Sequence, residues 1–238
     1  PVAMPAADAT YDTHPERAMS YAAELCEAGL TLYALKEYLK VCVGIYGQPA
    51  PLAEARFRAG ACLAAMGRTA AAYRQWELCR ALPGPAAWHE HAVQALAPFR
   101  VRPAWPDADR RQCLGIPDTV TPAPGREDAG GKARQGQRSP ALARLHLGEE
   151  LLLSGVLDED EALQEFLKVV TVMEVPGNLG WVRTAAHVRA AQALLLSGRI
   201  EPARRHAESA ARPPGPADLS ALARRLLDQC EHRAKELP

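Results

Sequence analysis

The chain has 238 residues with 28 Lys+Arg against 28 Asp+Glu, a formal net charge of zero at pH 7; this is room for one large or two small domains, each with its own core. Balanced charge excludes strong steering toward nucleic acid, anionic membrane or basic partners, and no run of about 18 apolar residues is present to span a bilayer. An apolar fraction of 48% with only three Phe, carried mainly by Ala and Leu, favours close helix-on-helix packing over a β-sandwich.

Taken in chain order, residues 1–13 are an alanine-rich tail without a basic stretch. The compartment therefore stays open between cytoplasm and a periplasmic or organellar space reached with a removed targeting peptide. A first lobe over 14–99 is expected to hold helices near 14–28, 31–46, 51–66, 69–82 and 86–98. Residues 100–139 are rich in Pro, Gly and charge, with no apolar period, and read as a long linker or an ordered strap. Its basic cluster Arg126, Lys132, Arg134 and Arg138 reads as solvated, and Trp105 and Cys113–Ile116 read as points that dock the linker on a helix. A second lobe over 140–238 is expected to hold helices near 140–154, 159–174, 180–197, 200–211 and a capping helix near 217–235. Thr13 with Glu16 and Asp158 with Glu161 have capping-box spacing, Ser139-Pro140 places an N-cap before an N1 proline, and Gly84-Pro85 and Gly215-Pro216 punctuate helix ends.

Within the two lobes one grammar recurs four times. It runs through Ala22, Leu25, Gly29, Ala34, Tyr38 and Val41, then through Gly60, Leu63, Gly67, Ala72, Trp76 and Cys79. It returns as Leu147, Gly148, Leu151, Gly155, Ala162, Phe166 and Val169, and as Ala191, Leu194, Gly198, Ala203, Ala207 and Ala210. Gly29 and Gly67 lie 38 residues apart, and Gly155 and Gly198 lie 43 apart. Small residues on a first helix admit a second helix closely, a bulky residue fills the gap one turn on, and glycine adopts the positive φ that ends the first helix. One hairpin cannot bury its apolar stripe alone, so a repeat at this period predicts stacked hairpins.

Signals for chemistry are mostly missing. The sequence holds no phosphate-binding glycine loop, no G-x-S-x-G, no H-E-x-x-H and no zinc spacing among its six cysteines. Cysteines within predicted helices read as buried free thiols that act as small hydrophobes. His89 and His91 are two apart on a helix, so their imidazoles diverge and cannot share one metal ion. Glu149-Glu150 and the acidic run Asp158–Glu161 read as solvated and helix-capping carboxylates. Neither a cofactor, a metal nor a catalytic residue is expected.

The four strings, chiefly their Gly-x4-Ala-x3-aromatic-x2-small portions, resemble tetratricopeptide repeats over roughly 18–83 and 141–214. A narrower likeness, to the repeats of bacterial TolA-binding envelope proteins and outer-membrane assembly lipoproteins, rests on Tyr46-Gly47-Gln48-Pro49 followed by Ala55–Gly60. The chain departs from the family in two extra residues between Gly155 and Ala162, in Ala207 where an aromatic is usual, and in lacking the leading Trp. The resemblance implies an all-α solenoid of antiparallel hairpins, two repeat pairs separated by the Pro/Gly-rich linker, with the first helix of each hairpin lining a concave face. Its groove positions fall here on Met19, Ala23 and Cys26, on Phe57, Ala61 and Ala64, on Leu145, Glu149 and Leu152, and on Val188, Gln192 and Leu195. The Lys, Asn and Arg with which some members clamp a C-terminal carboxylate are missing from these positions. The expectation is a non-catalytic scaffold or adaptor that holds a helix or extended segment of a larger protein complex, without nucleic acid. The alternative is a helical-repeat enzyme or accessory domain with an acid–base site around Glu149.

Overall fold

Alanine-rich, amphipathic stretches separated by glycine and proline fold into ten α-helices, with no strand among the described residues. The computed structural model describes residues 14–45, 51–82, 85–99, 101, 103, 139–155, 160–212 and 215–236. These fall into two compact units, 14–103 and 139–236. The basic cluster of the linker, Trp105 and Cys113–Ile116 lie outside the described residues.

The first unit contains α1 (Pro15–Glu27), α2 (Thr31–Val43), α3 (Leu52–Ala65), α4 (Thr69–Ala81) and α5 (Ala86–Leu96). Consecutive helices pack on one another, and α3 also meets α5. The second contains α6 (Pro140–Ser154), α7 (Asp160–Thr171), α8 (Gly180–Leu196), α9 (Ile200–Ala211) and α10 (Ala217–Glu236), with one 3-10 turn, Gly177–Leu179, before α8. Here α8 is the central element, packed by α6, α7, α9 and α10. Its buried face runs from Val182 through Leu196 with few interruptions.

Each glycine expected at a bend sits at one. Gly29, Gly67, Gly155 and Gly198 have φ of 74°, 74°, 59° and 76°, the left-handed region that costs an L-residue steric strain. At Gly29 the following amide, Leu30 N–H, donates to Leu25 O at 2.8 Å and Gly29 N–H donates to Cys26 O at 3.0 Å. The same pair of bonds closes the ends at Gly67 and Gly198, so carbonyls that a helix end would orphan are satisfied. Leu30, Arg68 and Arg199 then begin the next helix, their carbonyls accepting from Ala34, Ala72 and Ala203 at 3.1, 2.9 and 3.2 Å. A single residue thus ends one helix and starts the next, which makes the bend tight.

Close approach within two hairpins depends on a helical glycine. A Cβ on Gly60 would lie 2.4 Å from Trp76 Nε1, and one on Gly148 would lie 2.5 Å from Phe166 Cε1. Trp76 Nε1–H donates to Phe57 O at 3.3 Å, so the same edge of the ring that faces Gly60 is also hydrogen-bonded to α3.

Of the expected helix starts, the one at Ser139-Pro140 is seen. Thr13 and residues 156–159 lie outside the described residues, and α1 begins at His14 without a side-chain cap, with Pro15 in its first turn. Ser139 does precede an N1 proline at the start of α6. Its carbonyl accepts from Ala143 N–H at 3.0 Å, while its buried Oγ finds no partner among the described residues.

Candidate functional site

A groove of about 650 Å³ opens in the first unit. Ala23 and Cys26 reach it from α1, Tyr38 from α2, Phe57, Arg58, Ala61 and Cys62 from α3, and Trp88 and His91 from α5. Spacing explains the set. Residues 57, 58, 61, 62 and 65 recur at three- and four-residue intervals on one stripe of α3, as 88 and 91 do on α5.

Its densest wall is aromatic. The rings of Phe57 and Trp88 lie 5.6 Å apart, Phe57 and His91 5.5 Å, and Trp88 and His91 5.4 Å at a near edge-on angle of 71°. Arg58 lays its guanidinium 5.6 Å from the Trp88 ring while its Nε donates to Glu54 at 2.7 Å, a stacked cation held by a carboxylate on its own helix. Burial, reinforced by nearby Cys26, pushes the Tyr38 hydroxyl up to about 12, and Arg58 opposes it. Cys26 and Cys62 face each other with Sγ atoms 3.6 Å apart. Burial, with Cys26 beside it, pushes the Cys62 thiol upward.

Of the positions that the sequence resemblance assigns to a groove, the structure gathers Ala23, Cys26, Phe57 and Ala61 around this opening. Met19 is buried in the core and Ala64 is exposed away from the lining. The second-unit positions are not brought to an open surface. Leu145, Leu152, Val188, Gln192 and Leu195 are buried, the last three fully, because α8 is packed by helices on several sides. Trp88 and His91, like Tyr38, Arg58 and Cys62, line the groove without having been assigned to it from the sequence. For Trp88 and His91 the three-residue spacing on a helix was the available signal, but α5 lies outside the four repeated strings.

Glu149 and Glu150, expected to be solvated, differ from that expectation. Glu150 is 1% exposed, since α6 buries residues around most of its circumference between α7 and α8. Glu149 accepts from Arg189 Nε at 2.8 Å, with His146 Nδ1 at 3.5 Å, and Arg189 Nη1 also donates to Gln192 at 2.9 Å. Glu165 is held similarly by Arg144 at 3.0 Å and Lys168 at 2.6 Å. These carboxylates are engaged by cations within the packed unit, as buried charge requires. His89 Nε2 contacts Leu82 O at 2.6 Å while His91 joins the aromatic wall, so the two imidazoles do diverge. Among the described residues no group of three or more His, Cys, Asp or Glu side chains converges as a metal site, and no helix is long and apolar enough to cross a membrane.

A second histidine pair joins α8 to α9: His187 Nδ1 and His206 Nδ1 are 3.0 Å apart. Burial, then His206 and Arg183, push His187 down to about 4 from 6.5, and burial also lowers His206. The unfolded chain therefore binds more protons than the folded chain between pH about 6.5 and about 4. This contribution to stability is complete above pH about 6.5 and is lost as pH falls through that window. Thermal unfolding at pH 7.5 and pH 4.5 should show a smaller acid loss for His187→Phe than for the unchanged chain; equal losses would remove the pair from the account.

No family model matches the chain, and neither a curated protein nor a solved structure shows significant similarity to it.

Proposed function

We propose that the chain is a non-catalytic scaffold or adaptor of the tetratricopeptide-like kind, and that the first-unit groove holds an apolar helix or extended segment of a partner protein. The observation that carries this reading is the open, aromatic-walled groove of about 650 Å³ on which Ala23, Phe57 and Ala61, groove positions of that repeat family, converge. Hairpins bent at positive-φ glycines and contacts between alternate helices such as α3 and α5 support a solenoid arrangement. An apolar segment laid on Phe57 and Trp88 would gain roughly 25 cal/mol per Å² of apolar surface removed from water, before ordering costs. Arg58 over the Trp88 ring adds a donor that suits a carbonyl or carboxylate on that segment. The acid–base alternative asks for a carboxylate open to substrate, whereas Glu149 is engaged by Arg189 and His146.

Affinity capture from the native source with the unchanged chain and with Phe57→Asp tests the reading. Phe57 is half-buried at the groove, so the variant is expected to keep its helical circular dichroism and to lose at least tenfold in capture, since an introduced carboxylate must be desolvated on binding. Capture at the unchanged level would refute the groove as the holding surface.

A further inference from the structure

We propose that Cys26 and Cys62 form a reversible dithiol–disulfide couple in the groove of the first unit, exchanging with low-molecular-weight disulfides and thiols. The two thiols come from different helices, α1 and α3, yet their Sγ atoms lie 3.6 Å apart and share a hydrogen bond. A disulfide bond spans about 2.05 Å, so closure needs roughly 1.5 Å of further approach.

Access separates the two sulfurs. Of the five free cysteines described, Cys26 alone is part-exposed, while Cys42, Cys62, Cys79 and Cys230 are buried. Cys26 and Cys62 also line the same opening, so a small disulfide entering the groove meets Cys26 first and finds a second thiol behind it. Cys79 differs, since its buried Sγ donates to Ala53 O at 3.1 Å.

The exchange balances in two steps. Cys26 gives its proton to water and its thiolate attacks one sulfur of the small disulfide; that S–S bond breaks, and the first small thiolate leaves and takes up a proton. Cys62 then loses its proton and attacks the Cys26 sulfur of the mixed disulfide, expelling the second small thiol. Two protein thiols are oxidised to one bridge, and one small disulfide is reduced to two thiols. Burial disfavours the Cys62 thiolate while the Arg58 charge favours it, and the second step is intramolecular, so the mixed disulfide is resolved without a further encounter. The bridge ties α1 to α3 at the groove, and the proposal stands whether or not the groove serves to hold a partner.

The test equilibrates the reduced full chain with glutathione at increasing ratios of disulfide to thiol, quenches with an alkylating agent, and maps tryptic peptides by mass spectrometry. The expected product joins Ala18–Lys36 to Ala59–Arg68, about tenfold or more above any other cysteine pairing, and disappears on return to excess thiol. Cys62→Ser should stop at a glutathione adduct on Cys26, and Cys26→Ser should leave Cys62 about tenfold or more slower to react. A folded chain that stays reduced at a large excess of glutathione disulfide would overturn the proposal. So would Cys26 pairing equally with other cysteines, or a mixed disulfide that persists in the unchanged chain.

Discussion

Replacing Phe166 with alanine is expected to remove about 3–5 kcal/mol from the second unit, the range for deleting a buried aromatic ring whose space cannot collapse. Phe166 is fully buried, and its ring lies where a Cβ on Gly148 would be, 2.5 Å from Cε1. Helix backbone, not a side chain able to rotate inward, therefore forms one wall of the resulting hole. For a unit of this size the loss lowers the unfolding midpoint by on the order of 20 °C, which differential scanning calorimetry would read directly. Gly148→Ala probes the contact from the other side. Helix propensity alone would make that change favourable by about 1 kcal/mol, whereas the added methyl must displace the ring, at about 1–3 kcal/mol. A net loss is expected, and it should shrink in Gly148→Ala combined with Phe166→Leu. A stabilised Gly148→Ala chain would show that the ring moves freely.

Arg189→Leu is expected to cost about 3 kcal/mol, because it leaves the Glu149 carboxylate without its closest cation in a packed setting. The side chains of Arg189 and Glu149 are only 16% and 12% exposed, and the same guanidinium holds Gln192, which is fully buried. Removing both charges is the informative comparison. Arg189→Leu with Glu149→Leu should recover a large part of the loss, since no bare carboxylate then remains to be desolvated. Chemical denaturation of the two single variants and the double variant gives the cycle, and strictly additive losses would count against direct coupling.

Much of the helical layout was legible because its signals are local. Glycine is the residue that ends a helix at positive φ, and Gly29, Gly67, Gly155 and Gly198 do so at the expected places. Helices expected near 200–211 and 140–154 coincide with α9 and α6. Burial around a whole helix was not legible, because it depends on how many neighbours a helix acquires. Apolar positions such as Val188 and Leu195 look alike in sequence whether they line a groove or sit beneath α6 and α10, and here they are buried. The same ignorance hid Glu150, whose carboxylate read as solvated. In the first unit the groove positions on α1 and α3 were reachable from the repeat register. Trp88 and His91 were not, because α5 belongs to no repeated string, and only its packing against α3 brings both rings to Phe57.

The position of α8 also decides where the chain tolerates being cut. Removing α1 uncovers one face of a neighbour, so a truncation or a fused tag near that end disturbs a boundary. Interrupting the backbone between Val182 and Leu196 would break the one helix that contacts all four others of its unit. A fragment that ends before α8 would keep the pairing of α6 with α7 but lose the helix that covers a face of each.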